Sequence, residues 1–282
     1  MLIDLHLHST ASDGLLSPSA LMEQCHAKGL SCVALTDHDT LAGVKEAMEA
    51  ASLFGMHMIP GVELSTDDPQ ELHILGYGIK DIDSMERVLS RMREARRKRL
   101  YTICEKLRAA GIGLDPEKIE ADAGSTVGRP HVARALLEAG YVSSVKEAFS
   151  RFLAPGKCGY AAREKLDSAE AIRIIHASGG IAVLAHPSIS IRNSFTLPER
   201  VKALRLARLD GLEAHHLRHT PAQRRSLDRL ARSMGLYVTG GSDYHGGDES
   251  LLAAGMENWT EKEKDYRRLI RAIGAKFPEE HT

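Results

Sequence analysis

The chain has 282 residues, 43% hydrophobic and 27% charged, with a formal net charge of −1. That balance fits one or two ordinary globular domains, and it excludes bulk attraction to nucleic acid or membrane, so any such attraction has to be local. No apolar run reaches the roughly 20 residues of a membrane span, no leader peptide is expected because chemistry-bearing residues begin at Asp4 and His6, and Cys25, Cys32, Cys104 and Cys158 form neither a CxxC pair nor a disulfide framework, which points to reduced, mostly buried thiols in a cytoplasmic protein.

Met1–Leu7 reads as a short strand running into His-Leu-His. Ser17 before Pro18 is an N-cap and first-turn signal, and the helix it opens should stop at Gly29. Ser31–Thr36 reads as a buried strand, Leu41–Leu53 as a helix ended by Gly55, His57–Leu64 as a third strand, and Glu71–Tyr77 as a fourth, reached through a turn over Thr66–Gln70. This alternation predicts a mostly parallel α/β sheet or barrel.

From Asp81 to about Tyr160 strand signals vanish, and Met85, Leu89, Met92, Leu100, Ile103 and Leu107 recur at helical spacing. Further helices are predicted over Pro130–Ala139 and Val145–Phe152, with Pro155-Gly156-Lys157 as an exit loop. Residues 81–160 are therefore expected to form a helical insertion, or cap, on a barrel made of residues 1–80 and 161–282. Alternation then resumes: a helix over Ser168–Ser178, strands over Ile181–Ala185, Gly211–Ala214 and Leu236–Thr239, and helices over Pro221–Met234 and Glu261–Ile273.

Among 14 histidines, several stand beside carboxylates at expected strand ends: Asp4-Leu5-His6-Leu7-His8, Thr36-Asp37-His38-Asp39, Gly61-Val62-Glu63, Ala185-His186-Pro187 and Ser242-Asp243-Tyr244-His245. His73 lies near the start of its strand. In a β/α barrel the C-terminal strand ends share one face, where active sites sit. Residues two apart on a strand point the same way, so His6 and His8 can both reach inward. Imidazole and carboxylate without thiolate suit zinc, manganese or iron. A bridging carboxylate can hold two such ions, and their charge suits phosphoryl chemistry. Each piece alone is weak, because His-x-His occurs by chance and a lone strand histidine is usually a satisfied core residue; together they point to one metal cluster.

These motifs, in this order and over nearly the whole chain, resemble the PHP (polymerase and histidinol phosphatase) family, in its TrpH-like nucleotide phosphoesterase branch. Ser12-Asp13-Gly14, Leu64-Ser65, His73-Ile74-Leu75-Gly76 and Pro155-Gly156-Lys157 belong to the same resemblance. It implies a distorted (β/α)7 barrel with two to three divalent ions (Mn, Fe or Zn). One ion would take His6, His8, Glu63 and Asp243; a second would share Glu63 and add His73 and His186; a third would take Asp13, His38 and His245. It further implies hydrolysis of phosphate esters by a hydroxide bridged between the ions that share Glu63, with His38 or His245 as candidates to protonate the leaving oxygen. The substrate would be a small nucleotide-type molecule: a nucleoside 3′,5′-bisphosphate, the 5′ end of a short oligonucleotide, or a small cyclic phosphate. A histidinol-phosphate-type phosphatase, an amidohydrolase with a bridging carboxylated lysine, and a non-catalytic nucleic-acid-binding module are the alternatives.

Three features bear on the substrate. Arg91–Arg108 holds eight Lys or Arg and two Glu, which is either a steering face for phosphates or an ordinary solvated helix face. Arg129 and His131 flank Pro130 at a helix start, where backbone N–H groups favour anions. The resemblance makes both candidate phosphate binders, against a plain capping role, with Lys157 as a weaker candidate. Asp37 is either an orienting partner of the cluster or a cap residue, and Asp39 is expected to be a cap. Glu213, His215, His216 and His219 cluster about the end of a strand; being surplus to the ligand set, they are expected to support the ligands from behind, with one or two lining the pocket, or to lie at the surface. No membrane contact and no obligate protein partner are expected.

Overall fold

A computed structural model describes residues 2–66, 72–162, 166–191, 193–253 and 263–273. All but Thr66 of the turn expected over Thr66–Gln70, the first residue of the strand expected from Glu71, and the start of the last helix at Glu261 lie outside these residues. In chain order the elements are β1 (Leu2–Leu7), α1 (Pro18–Ala27), β2 (Leu30–Leu35), α2 (Val44–Leu53), β3 (His57–Ser65), β4 (His73–Tyr77), α3 (Ile82–Ala109), α4 (Pro116–Asp122), α5 (Arg129–Glu138), α6 (Val145–Ala148), α7 (Ser168–Ala177), β5 (Ile181–Leu184), α8 (Pro187–Ser190), α9 (Leu197–Leu206), β6 (Gly211–His216), α10 (Pro221–Ser233), β7 (Tyr237–Gly241) and α11 (Glu263–Ala272).

The strands form one seven-stranded sheet in sequence order. It curls until its two edges meet: His8 N–H donates to the Tyr244 carbonyl and Asp243 N–H to the His6 carbonyl, both at 2.9 Å. The distorted (β/α)7 barrel that the resemblance implies is therefore present and nearly closed. Closure leaves no room for a side chain where β7 crosses β1, because a Cβ on Gly241 would lie 2.2 Å from the His6 Cβ.

The sheet is mostly parallel, as the alternation predicts, with one exception. β4 runs antiparallel to both of its neighbours, β3 and β5, while the remaining pairs are parallel. Reversal carries its first residue, His73, to the level of Ser65 at the end of β3, so a residue at a strand start reaches the same face as the other strand ends. The reversal follows from the short link between β3 and β4, since a parallel return needs a crossover of a dozen residues or more.

β4 thus ends at the opposite, lower rim. From there α3 runs for 28 residues, about 42 Å at 1.5 Å per residue. Its first half places Met85, Leu89 and Met92 in the barrel's apolar cluster. Its second half places Leu100, Ile103, Cys104 and Leu107 in a separate cluster with Val132 and Leu136 of α5. One helix therefore belongs to both cores. α1 begins as expected, with Ser17 Oγ accepting the Ala20 N–H, and a π-helical turn over Phe149–Leu153 continues α6. No described helix is long and apolar enough to cross a membrane.

Candidate metal centre

The upper rim gathers all nine expected ligands. β1 delivers His6 and His8, both fully buried. Glu63 of β3, also fully buried, stands at the centre with its two oxygens facing different partners. Oε2 lies 3.3 Å from His6 Nε2, 3.3 Å from His8 Nε2 and 3.1 Å from His38 Nδ1. Oε1 lies 2.8 Å from His73 Nδ1 and 3.0 Å from His186 Nε2. Asp243 Oδ1 approaches His6 and His8 at 3.5 and 3.3 Å. At the far edge Asp13 lies 3.3 Å from His245 Nε2 and 4.0 Å from His38 Nε2.

Donor atoms fall into three overlapping groups, each spanning at most 4.8 Å: His6, His8, Glu63 and Asp243; His38, Glu63 and His73; and His8, Asp13, His38 and His245. The first set is the one the resemblance implies and the third adds His8 to it; the second differs, because His38 joins Glu63 and His73, turning one ring nitrogen to Glu63 and the other to Asp13, while His186 meets Glu63 Oε1 without falling in any of the three groups. Ligand-type atoms here are buried and lack a hydrogen-bond partner: His6 Nε2, both His8 nitrogens, His38 Nδ1 and Glu63 Oε2. An unpaired buried polar group costs about 1–3 kcal/mol. Five converging orphans of complementary type fit bound cations, and imidazole with carboxylate fits zinc, manganese or iron.

Outer hydrogen bonds fix the rings. Glu213 Oε1 accepts from His6 Nδ1 at 3.0 Å, which turns the Nε2 lone pair inward. His245 Nδ1 bonds the Asp243 carbonyl at 2.8 Å, leaving Nε2 toward Asp13, and His186 Nδ1 meets Ser190 Oγ at 3.0 Å. Three rim residues, Asp39, His186 and Asp243, have left-handed backbones with φ of 53°, 29° and 58°. Such backbone strain gathers at functional sites, and the aim of Asp243 and His186 depends on it.

Electrostatics match the geometry. Burial alone would push the His8 imidazole down, yet Asp243 and Glu63 raise it to about 10. His6 is likewise raised, against burial, by Glu213, Glu63 and Asp243. Burial drives His38 down to about 3. Burial opposes ionisation of Asp13, Glu63 and Asp243, but the surrounding imidazoles hold all three well below the ordinary carboxylate range. Without cations, some imidazoles must carry the positive charge that balances these carboxylates.

Several residues depart from their expected roles. Asp39 does not cap α2, whose N-cap is Gly43 with no side-chain bond. Its Oδ2 instead accepts from Arg96 Nε at 2.6 Å, and its Oδ1 accepts the Ser65 N–H. Asp37 accepts from Ser9 N–H, Ser9 Oγ and Ser12 Oγ, which fastens the loop carrying Asp13. Arg96 also reaches Ser65 Oγ at 3.0 Å, so α3 is more than a solvated basic face. Glu213, inside the expected strand, and His216, inside β6 because that strand runs two residues beyond the expected Ala214, are both fully buried. His216 Nε2 stands 3.6 Å from Asp243 Oδ2. A buried glutamate within a strand of otherwise apolar alternation was the available signal.

The expected phosphate binders are placed unequally. His131 is nearly buried; its Nδ1 accepts the Gly128 N–H at 3.0 Å, and its ring also bonds the Ser12 backbone. Burial lowers it to about 4, so it is a neutral capping ring rather than a cation. Arg129 lies over the Phe149 ring. Lys157 sits in an exposed turn, and no contact ties it to the cluster among the described residues. Arg134, which sequence reasoning passed over, reaches the Asp13 carbonyl at 3.1 Å.

A nearly closed α/β barrel whose strand ends converge unpaired imidazoles and carboxylates defines a metal-dependent hydrolase. The PHP domain family model matches residues 4–178, and the chain belongs to the PHP family. It is 39% identical over 86% of its length, and 89% of the relative's, to the 5′-3′ exoribonuclease of Haemophilus influenzae. It is 32% identical, over 86% of this chain and 87% of the relative, to the 3′,5′-nucleoside bisphosphate phosphatase of Chromobacterium violaceum. Among solved structures it resembles an amidohydrolase from Chromobacterium violaceum with bound sulfate and no metal, with a TM-score of 0.83, 29% identity and coverage of 94% of this chain and 97% of that one.

Proposed function

We propose that this chain hydrolyses phosphate esters of small nucleotide-type substrates, either a nucleoside 3′,5′-bisphosphate or the 5′ end of a short oligonucleotide, with two to three divalent ions (Mn, Fe or Zn) held by His6, His8, Asp13, His38, Glu63, His73, His186, Asp243 and His245. The observation that carries this reading is the division of Glu63, one oxygen facing His6, His8 and His38 and the other facing His73 and His186. Bound cations supply positive charge for phosphate oxygens and a water acidic enough to attack near neutral pH. Glu63 holds the two halves of the ligand set in register. Arg134 adds a fixed positive charge beside Asp13. His38 and His245 serve as ligands: both His38 ring nitrogens face carboxylates, and the His245 Nδ1 proton is held by the Asp243 carbonyl, so the leaving oxygen takes its proton from solvent at the edge near His245, whose side chain is 35% exposed. The bridging position is filled by Glu63 rather than a lysine, which favours phosphoester over amide hydrolysis. Relatives acting on RNA and on nucleoside bisphosphates support the substrate class. The free cysteines fit a reducing, cytoplasmic setting.

The test is phosphate release from nucleoside bisphosphates, 5′-phosphorylated oligonucleotides, phosphodiesters and simple monoesters with manganese, iron or zinc added. Release that Glu63→Gln and Asp243→Asn abolish is expected. Protein with verified metal content that releases phosphate from none of them overturns the proposal.

A further inference from the structure

Where β7 meets β1, the barrel holds a fully buried carboxylate that the cation chemistry above does not use. Asp4 is the third residue of β1. Its Oδ1 accepts the His6 N–H at 3.2 Å and the Ser242 N–H at 2.9 Å. Its Oδ2 accepts the Ser242 hydroxyl at 2.5 Å and the Ala253 N–H at 2.9 Å. An ionised carboxylate offers about four lone-pair sites, and four donors engage them. They come from β1, from the residue after β7, and from the chain beyond a short helical turn at Glu249–Leu251.

Two of these anchors adjoin cation ligands. His6 is one of the expected ligands. Ser242 immediately precedes another, Asp243, whose left-handed backbone depends on its surroundings to persist. Ser242 is buried and held at both its N–H and its hydroxyl, which stops it from pivoting. Asp243 N–H then donates to the His6 carbonyl at 2.9 Å. Asp4, His6, Asp243 and Ser242 thus form a closed ring of bonds beneath two ligand side chains that approach to 3.5 Å. An apolar residue would fill the seam without burying a charged group, but it could not catch these donors. Ala253, also left-handed at φ 59°, hangs from the same carboxylate.

We propose that Asp4 is a positioning residue for the cation centre, setting the aim of Asp243 through Ser242 and of His6 through the His6 N–H, and tying the segment that reaches Ala253 to the same carboxylate. It rests on the cation reading above and adds what holds two of the ligands in place.

The two oxygens have separable tasks. Oδ1 faces two N–H groups, whereas Oδ2 faces one N–H and a hydroxyl that can turn to accept. An asparagine therefore settles with its oxygen toward His6 and Ser242 and its NH2 toward the Ser242 hydroxyl and Ala253. Asp4→Asn keeps the aim of the ligands and gives up the Ala253 bond; Asp4→Ala loses everything.

The experiment uses the full chain stripped of metal and titrated with cobalt(II), read by chelator competition and by the visible absorption of the bound ion, which reports its coordination geometry. The variants are Asp4→Ala, Asp4→Asn, Ser242→Ala and, as a control for stability alone, the core truncation Val201→Ala on α9. Asp4→Ala is expected to weaken cobalt binding about 10–100-fold and Ser242→Ala about fivefold, both with altered absorption. Asp4→Asn is expected to keep the wild-type affinity and spectrum while hydrogen exchange quickens at the Ala253 amide and not at those of His6 and Ser242. Val201→Ala is expected to melt earlier and bind cobalt as wild type does. Unchanged affinity and spectrum in both Asp4→Ala and Ser242→Ala overturns the role, as does an equal loss in Val201→Ala, or an Asp4→Asn protein as impaired as Asp4→Ala. If Asp4→Ala fails to fold, an unchanged Ser242→Ala overturns it alone. A wild-type chain that binds no cobalt overturns the cation centre itself, a result distinct from any of these.

Discussion

Glu213 receives two donors with two oxygens: His6 Nδ1 on Oε1 and the His186 N–H on Oε2 at 2.6 Å. An amide has one acceptor, so Glu213→Gln satisfies one donor and sets an NH2 against the other. We expect that variant to stay folded and lose about 10–100-fold in metal affinity, read by competition with a chromophoric chelator; unchanged affinity would show that His6 is oriented without it. His8 carries a second prediction. Its pKa of about 10 stands above its ordinary 6.5, so in metal-stripped protein its proton stabilises the fold fully below 6.5, and that contribution is lost as pH climbs through 10. Cation binding needs the His8 lone pair, so metal uptake at pH 7 should release protons. Calorimetry in two buffers of different ionisation enthalpy measures this, and a heat independent of buffer contradicts it.

At the scale of elements, the crossing of β7 over β1 is the least tolerant point. Gly241→Ala places a methyl where the His6 backbone and Cβ already stand, and overpacking of this kind costs about 1–3 kcal/mol. The expected outcome is a lower melting temperature together with reduced metal content; a fall in one without the other would separate closure from ligand aim. α5 has its own titration. Burial depresses His131 from 6.5 to about 4, so its contribution is present above pH 6.5 and is lost as pH falls toward 4. His131→Gln should flatten the dependence of melting temperature on pH across that window.

Much of this was legible in the sequence, and the reasons for the remainder are local. Strand-end histidines and carboxylates announce themselves because two residues on a strand share a side, and Ser17-Pro18 announces α1. The reversal of β4 was not legible, since alternation of hydrophobicity has no direction. Asp39 looked like a cap because its partner Arg96 is 57 residues away. His216 falls past the expected end of its strand because a run of polar residues ends a strand by pattern, while here Asp243 stands beside it in the cluster. Arg134 carried no signal, being one arginine on a helix, whereas His131 beside Pro130 stands out in sequence, and its ring accepts the Gly128 N–H.

For the molecule as a whole, the cluster concentrates buried carboxylates and imidazoles at the point where the barrel closes. Removing cations leaves these groups to balance one another by protonation, so chelation should lower the melting temperature, and manganese or zinc should restore it. A metal-stripped sample with an unchanged transition contradicts this. Finally, α3 has a mechanical meaning. A helix embedded in two cores, pinned between them by Arg96 on Asp39 and Ser65, is a strut and not a hinge. Bending α3 would strain both apolar clusters and both Arg96 bonds at once, so the two clusters are coupled, and loosening one is expected to loosen the other.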